Sequence, residues 1–265
     1  MMLMVFTDFS PDVVVGSIQR IIHMDNRNFV CAMIGPKGSS KSWSALSMCE
    51  EVDPNFSDKT IVFSTIDLLK LMTQKPQLPA GTAILYEESS VSANNRDWYS
   101  FFNKALTAVV DTFRYRNYFL VFTTPFQGSV DIKLRRSFDA IFDMTGEINK
   151  KERYAVANYQ LVKVHELYGK GQPIYPKLRV NTKRGICKMV RYRIYAPSDP
   201  LIKKYEKMKN EFGDNLYENL LMEAKTETAK KHYVQDKYMP HYVEPAADTE
   251  LFHNPRWQVK DKANL

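Results

Sequence analysis

Two hydrophobic patterns alternate along the first half of the chain. Short apolar runs of the kind that form buried strands occur in NFVCAMI, KTIVFS, GTAILYEE, NYFLVFTTP and FDAIFDM. Between them, SKSWSALSMCEEV and TIDLLKLMTQ are typical of helices, and residues 98–113 place apolar side chains at helical spacing on one face. Strands that alternate with helices predict an α/β fold with a mostly parallel sheet between helices.

The pattern changes on both sides of this core. A short helix is predicted before it, in VVVGSIQRIIHM. After it, YAVANYQLVKVHELYG, PKLRVNTKRG and KMVRYRIYAP alternate apolar and charged residues, which predicts half-exposed antiparallel strands. A long charged helical pattern starts at Asp199, with a break expected near Gly213-Asp214, and the polar, proline-containing end from about Met239 is not expected to pack. The predicted parts are an N-terminal helical segment (1–27), the α/β core (28–146), an antiparallel β appendage (147–197) and a C-terminal helical region with a tail (198–265).

Composition narrows the class of protein. The chain has 265 residues and is 44% hydrophobic, which suits one large domain, or one domain with an appendage. No segment reaches the ~18 apolar residues that span a bilayer, and the start lacks the features of a signal peptide. Cys31, Cys49 and Cys187 are far apart, which favours a reducing, cytoplasmic location over a disulfide framework or a zinc site. The net charge of +7 favours an anionic partner, nucleic acid first.

A glycine-rich stretch, GPKGSSKSW, connects the first predicted core strand to a helix. It follows the phosphate-binding pattern G-x-x-x-x-G-K-[ST], in which Lys41 would reach the β- and γ-phosphates and Ser42 would offer a hydroxyl to Mg²⁺. Ser40 replaces the second glycine, at a cost of about 1 kcal/mol if that position needs a positive φ. The alternative is an ordinary strand–helix turn with a surface lysine. The predicted nucleotide-binding residues are Gly35, Pro36, Lys37, Gly38, Ser39, Ser40, Lys41, Ser42 and Trp43.

Polar residues also end two later strands. Glu87 and Glu88 follow the apolar run in TAILYEESSV, and Thr123 and Thr124 end the run in YFLVFTTP. Two acids at a strand end are also common on a solvated surface, and threonine is simply a good strand residue. The two acids are a more specific signal of a functional site here, because they follow the phosphate-binding stretch after one intervening strand–helix unit.

Taken in order, GPKGSSKS, ILYEE and VFTTP resemble the additional-strand P-loop ATPases, and within them the FtsK–HerA class, including Zot-like proteins and small ATPases of archaeal mobile elements. The resemblance covers about residues 28–195. It implies that Glu87 supports Mg²⁺, in a place where the class usually has aspartate. It also implies that Glu88 activates the attacking water and that Thr124 senses the γ-phosphate. The class forms rings or other oligomers that move DNA or drive assembly or secretion. Zot-like proteins carry a membrane span, and none is evident in this sequence.

Basic residues suggest two further roles. Arg114 and Arg116 precede the sensor strand, and an arginine there could complete the site of a neighbouring subunit. A solvated helix end, where cations are favourable, is the alternative. The stretch KLRVNTKRGICKMVRYRIY interleaves basic residues with tyrosines, as DNA-contacting surfaces do, although a plain amphipathic hairpin has the same pattern. The candidate DNA-binding residues are Lys183, Arg184, Arg191 and Arg193.

Three functions are compatible with these features. The first is a homo-oligomeric ATPase that uses ATP and Mg²⁺ for work on DNA, such as translocation, packaging or transfer of a mobile element. The second is a nucleotide-switched scaffold or assembly protein with little hydrolysis, which the residues at positions 40 and 87 favour. The third is a small-molecule kinase, which would need a lid, and no clear arginine-rich lid is present in the core. DNA-stimulated ATP turnover separates the first two.

Overall fold

A computed structural model of the chain describes residues 5–6, 11–87, 114–125, 135–164, 173–182, 185–189 and 191–238. The predicted helix at 98–113 and the tail from Met239 lie outside these ranges. The helices are α1 (Pro11–His23), α2 (Lys41–Val52), α3 (Thr65–Thr73) and α4 (Asp199–Tyr238), with 3-10 turns at Asp58–Thr60 and Arg114–Arg116. The strands are β1 (Val5–Phe6), β2 (Phe29–Ile34), β3 (Ile61–Val62), β4 (Ala83–Glu87), β5 (Phe119–Thr124), β6 (Ala140–Asn149), β7 (Tyr154–Leu161), β8 (Lys163–Val164), β9 (Pro173–Ile174), β10 (Arg179–Thr182), β11 (Gly185–Met189) and β12 (Tyr192–Tyr195).

A seven-stranded sheet in the order β12-β7-β6-β2-β5-β4-β3 forms the centre of the fold. The pairs from β6 through β2, β5 and β4 to β3 are all parallel. β7 and β12 continue the sheet as antiparallel strands. The predicted mostly parallel sheet is therefore confirmed. β5 lies between β2 and β4, so one strand separates the strand before the glycine-rich loop from the strand that ends in Glu87.

The register of the parallel strands gathers their carboxyl ends at one edge. Ile34 at the end of β2 is opposite Thr124 at the end of β5. Glu87 at the end of β4 is opposite Thr123. Ligands of open parallel sheets bind in the crevice outside these carboxyl ends. The topology thus brings the loop and the acidic strand to one place.

The central strand β2 is buried on both faces, and its residues alternate between two hydrophobic clusters. Phe29, Cys31 and Met33 pack in the cluster that includes residues of α1 and α2. Val30 and Ala32 pack in the cluster that includes residues of α3. Alternation with a period of two is the geometry of a strand, and burial on both faces explains why NFVCAMI is a continuous apolar run. Helices therefore cover both faces of the sheet.

The remaining strands form two small sheets. β10 and β11 form the predicted antiparallel pair, and β8 pairs with β9. β1 adds to β11 in parallel, with Val5 opposite Lys188. The sequence analysis did not predict β1, because a strand of two residues is too short to show any periodicity and its partner lies far along the chain.

The predicted helix break near Gly213-Asp214 is wrong, because α4 runs without interruption from Asp199 to Tyr238. One glycine in a helix costs about 1 kcal/mol, which strong helix formers on both sides offset. The chain divides into two compact units, residues 1–212 and 213–265. In the first unit, Leu201 and Tyr205 of α4 are buried. Among the described helices, none combines the length and the apolar character that crossing a membrane requires.

Candidate functional site

The turn after β2 is held in a conformation that needs glycine. Gly35 has φ 147°, and a Cβ there would lie 2.9 Å from Cβ of Met144 on the neighbouring strand β6. Gly38 has φ 78°, in the left-handed region that L-residues rarely adopt. The Ser39 hydroxyl donates to the Pro36 carbonyl at 2.8 Å and closes the turn. The loop therefore has a defined shape before α2 begins.

Ser40 occupies the position that the phosphate-loop pattern gives to glycine, and its backbone is left-handed with φ 67° and ψ 22°. Its side chain makes no capping hydrogen bond to α2, while its carbonyl accepts the Ser44 amide at 2.9 Å. Strain is expected at Ser40 if this position needs a positive φ. The position does have a positive φ, and the serine adopts it at a cost of about 1–2 kcal/mol.

Lys41 begins α2 and folds back over the loop. Its ammonium donates to the carbonyls of Gly35 at 2.9 Å and of Pro36 at 2.8 Å. Burial lowers the pKa of Lys41, the nearby Glu87 charge opposes that change, and the Lys209 charge adds to it. The two carbonyl acceptors are neutral, so exchanging them for anionic phosphate oxygens would add attraction between opposite charges to these hydrogen bonds.

Glu87 joins three elements at the carboxyl edge of the sheet. It is the last residue of β4 and only 6% exposed. Its Oε1 accepts the Ser42 hydroxyl of α2 at 2.6 Å, and its Oε2 accepts the Thr123 hydroxyl of β5 at 2.9 Å. Glu87, Ser42 and Thr123 come together because β4 and β5 end side by side, and α2 follows β2, the strand on the other side of β5.

Lys209 of α4 is a residue that the sequence analysis missed. Its ammonium lies 3.1 Å from Oε1 of Glu87 and donates to the Tyr205 hydroxyl at 2.9 Å. Burial, and then the Glu87 charge, raise the pKa of the Tyr205 phenol well above its usual range. Glu206, one helical turn before Lys209 in α4, accepts a hydrogen bond from the Trp43 indole at 3.2 Å. No local signal singles out Lys209, because it lies in a helix rich in lysine.

A cavity of about 960 Å³ opens beside the loop. Lys41, Ser42, Glu87 and Lys209 line one part of it. Other residues of the loop, α2 and α4 also line it, and so do residues from β6, β7, β12 and the turn after β6, among them Ile148, Asn149, Lys150, Arg153, Tyr154, Ala155, Ile194 and Tyr195. Its volume lies within the usual range for small-molecule sites. A hydroxyl and a carboxylate are oxygen donors of the kind that Mg²⁺ accepts together with phosphate oxygens, so these residues fit a magnesium–nucleotide complex.

Several predicted catalytic residues are elsewhere or undescribed. Glu88 lies outside the described residues. Thr124 is 2% exposed at the end of β5, but Thr123 is the residue that contacts Glu87. Arg116 donates to the Met72 carbonyl at 3.1 Å. It precedes β5, so it lies at the amino ends of the parallel strands, whereas the loop lies at their carboxyl ends. Arg114 shares the 3-10 turn with Arg116. The structure therefore does not bring Arg116 to the loop of its own chain.

The candidate DNA-binding residues divide in the same way. Arg191 forms an ion pair with Glu147 of β6, and the Arg193 guanidinium lies 4.8 Å from the ring centre of Tyr154 on β7. Both side chains line a smaller cavity of about 310 Å³. Lys183 and Arg184 lie outside the described residues. The two described arginines are thus engaged with their own sheet.

The order of the parallel strands and the loop after β2 define a P-loop NTPase fold. No protein-family model and no curated protein sequence matches the chain. One similar solved structure is the N-terminal domain of zonular occludens toxin from Neisseria meningitidis. It is 13% identical, with a TM-score of 0.32, and the similarity covers 50% of this chain and 83% of that one. The fold assignment rests on the sheet and the loop.

Proposed function

We propose that this chain binds magnesium-ATP at the loop after β2 and hydrolyses it. The observation that carries the proposal is the meeting of Lys41, Ser42 and Glu87 beside one large cavity. In this function Lys41 neutralises the β- and γ-phosphates, and the Ser42 hydroxyl and the Glu87 carboxylate hold the metal. Residues 35–43 supply the backbone amides and side chains around the phosphates.

Hydrolysis needs a group that orients and deprotonates water, and we assign that role to Glu88. The support is its position directly after Glu87, at the end of a strand whose carboxylate already faces the loop. Thr124, proposed as the sensor, and Thr123 both end the adjacent strand β5. Thr123 positions Glu87 through the bond to Oε2.

We further propose that the chain belongs to the FtsK–HerA class and works on DNA as a homo-oligomeric ring, in translocation, packaging or transfer of a mobile element. The strand order supports the broader group of additional-strand ATPases. The net charge of +7 supports an anionic partner. Arg114 or Arg116 would act on a neighbouring subunit, because Arg116 lies at the amino ends of its own parallel strands, away from the loop of its own chain. Lys183, Arg184, Arg191 and Arg193 would contact the DNA.

A nucleotide-switched scaffold is the second candidate, and two observations favour it. Ser40 carries backbone strain in the loop, and a lysine already balances the charge of Glu87. Both features suit a site that binds nucleotide and turns it over slowly. In that case ATP would bind without any stimulation of hydrolysis by DNA.

One experiment tests the proposed function and separates it from the second candidate. ATP affinity by calorimetry and turnover with and without double-stranded DNA are measured on wild type, Lys41→Ala and the surface control Lys70→Ala. Because Lys41 would contribute charge-assisted hydrogen bonds, we expect Lys41→Ala to weaken ATP binding about tenfold to a hundredfold. Lys70, which is exposed and paired with Asp67, should not matter. Equal ATP affinity in wild type and Lys41→Ala would reject the site.

A further inference from the structure

Lys209 and Ser42 share one oxygen of Glu87. The Ser42 hydroxyl and the Lys209 ammonium lie 2.6 Å and 3.1 Å from Oε1, respectively. The Glu87 side chain is 8% exposed and that of Lys209 is 48% exposed. A half-exposed lysine on a surface helix therefore reaches a buried carboxylate in the centre of the proposed site.

Among the described residues that line this cavity, positive charges outnumber negative ones. Lys41 and Lys209 both lie near Glu87, and the charge of Lys209 helps to lower the pKa of Lys41, after the larger effect of burial. Glu206, the other acid among the described residues that line the cavity, accepts the Trp43 indole. Among the described residues that line the cavity, Lys37 and Lys150 add further positive charge, and Arg153 adds one that is paired with Asp199 at 2.6 Å. Such a surplus of cations suits a ligand with several negative charges.

Both lysines rest on acceptors that a ligand can replace. Lys41 lies on two loop carbonyls, and Lys209 lies on Glu87. The Tyr205 hydroxyl and ring keep the Lys209 ammonium beside the site, with the nitrogen 5.3 Å from the ring centre. If Glu87 held Mg²⁺, its charge would be balanced by the metal, and the Lys209 ammonium would need another anionic partner, which a phosphate oxygen could supply.

We propose that Lys209 is a second phosphate-binding lysine, supplied by α4 of the same chain, and that it contacts the terminal phosphate of a bound nucleoside triphosphate. This inference rests on the proposed function. We choose the terminal phosphate because Lys209 contacts Glu87, which would hold the metal, and metal ions in phosphoryl-transfer sites generally lie beside the β- and γ-phosphates. Lys209 would then distinguish a triphosphate from a diphosphate, which Lys41 alone does less sharply.

Glutamine at position 209 gives the most direct test. Lys209→Gln keeps a hydrogen-bond donor toward Glu87 and Tyr205 and removes the charge. Lys209→Arg retains the charge. Lys204→Gln is the matched control, because Lys204 lies on the same helix and is exposed, with its ammonium 3.1 Å from Asp58. Binding of a non-hydrolysable ATP analogue and of ADP, both with Mg²⁺, is measured by calorimetry on the full chain, and thermal melting checks that each variant folds.

We expect Lys209→Gln to weaken binding of the triphosphate analogue by about tenfold or more, which is the size of one charge-assisted hydrogen bond, and to change ADP affinity by less than about twofold. Lys209→Arg should recover much of the affinity, and Lys204→Gln should bind both ligands as wild type does. An equal decrease for both nucleotides, or tighter binding of the triphosphate, would overturn the role of Lys209 while leaving the proposed function intact. A wild-type chain that binds neither nucleotide would overturn the proposed function, and this inference with it.

Discussion

Ser40 is the residue at which the loop departs from its usual pattern. Its left-handed backbone costs about 1–2 kcal/mol for a residue other than glycine. Glycine removes that strain, but it also makes the unfolded chain more flexible, which costs about 0.4–1 kcal/mol. The flexibility therefore offsets about half of the strain, and glycine is favoured by a net amount of the order of 1 kcal/mol or less. A cost of this size explains why serine is tolerated there.

We expect Ser40→Gly to change the free energy of unfolding by less than about 1 kcal/mol and to keep or improve ATP affinity. Ser40→Val is the informative contrast, because a β-branched residue fits the left-handed region poorly and should destabilise the loop. Urea unfolding and calorimetry measure the two quantities. Weaker ATP binding in Ser40→Gly would mean that the serine side chain itself contributes to the site.

Glu88 carries the second prediction at this scale. Glutamine has nearly the same shape as glutamate but cannot accept a proton from water. Glu88→Gln should therefore bind ATP like wild type, while turnover falls by about a hundredfold or more. A coupled phosphate-release assay measures turnover, with Lys41→Ala as the variant defective in binding. If Glu88→Gln hydrolyses ATP at the wild-type rate, another group must act as the base.

At the scale of elements, one side-chain hydrogen bond adds to the backbone pairing between the ends of β5 and β4. Thr123 donates to the buried carboxylate of Glu87, and a bond to a charged group contributes about 1.5–3 kcal/mol. Thr145 offers an exposed control, because its hydroxyl bonds only to neutral groups in the described structure: it donates to the Val156 carbonyl at 3.0 Å and accepts the Glu147 amide at 3.2 Å. A bond between neutral groups contributes about 0.5–1.5 kcal/mol.

We therefore expect Thr123→Val to lower the free energy of unfolding by more than Thr145→Val does. Chemical unfolding of both variants measures the difference. Thr123→Val should also weaken binding of magnesium-ATP, since Glu87 loses one of the groups that orient it. Equal destabilisation by the two substitutions would show that the hydrogen bond from Thr123 does not hold the Glu87 side chain in place.

The elements that could be predicted are those with a local signal. β2, α2 and β4 were recognisable because apolar runs, helical spacing and a glycine-rich turn lie within a few residues. The contact of Ser42 with Glu87 follows from parallel strands ending at one edge. Lys209 could not be found in this way, because it is paired with a residue 122 positions earlier and has no pattern of its own. The continuity of α4 through Gly213 depends on the balance of helix propensities along its length.

At the scale of the whole molecule, the net charge of +7 and the basic strands lead to a prediction about DNA. Affinity for double-stranded DNA should fall steeply with added salt, because neutralising each phosphate releases counterions. Replacing Lys183, Arg184, Arg191 and Arg193 together by alanine should weaken binding to all sequences alike. The slope of log affinity against log salt should become shallower by about 0.9 for each phosphate that the variant no longer neutralises.

Charge must be separated from position in that experiment. Alanine at Lys59, Lys70, Lys75 and Lys204, which are all exposed, removes the same charge from elsewhere on the surface. This control should bind DNA nearly as tightly as wild type and keep its salt slope. Equal weakening in the two quadruple variants would mean that only overall charge matters. Failure of wild type to bind DNA at low salt would remove the DNA-handling part of the proposal.

The hydrogen bond between Trp43 and Glu206 has an optical consequence. The Trp43 indole lines the cavity, is 37% exposed and lies beside the residues proposed to hold phosphate. Indole emission shifts in wavelength with the polarity around the ring, so filling the cavity should change the fluorescence of the native chain without any added dye. The chain has two other tryptophans, Trp98 and Trp257. A Trp98→Phe, Trp257→Phe variant would leave Trp43 as its one tryptophan. Titrating this variant with nucleotide would report occupancy of the site as a shift in emission wavelength.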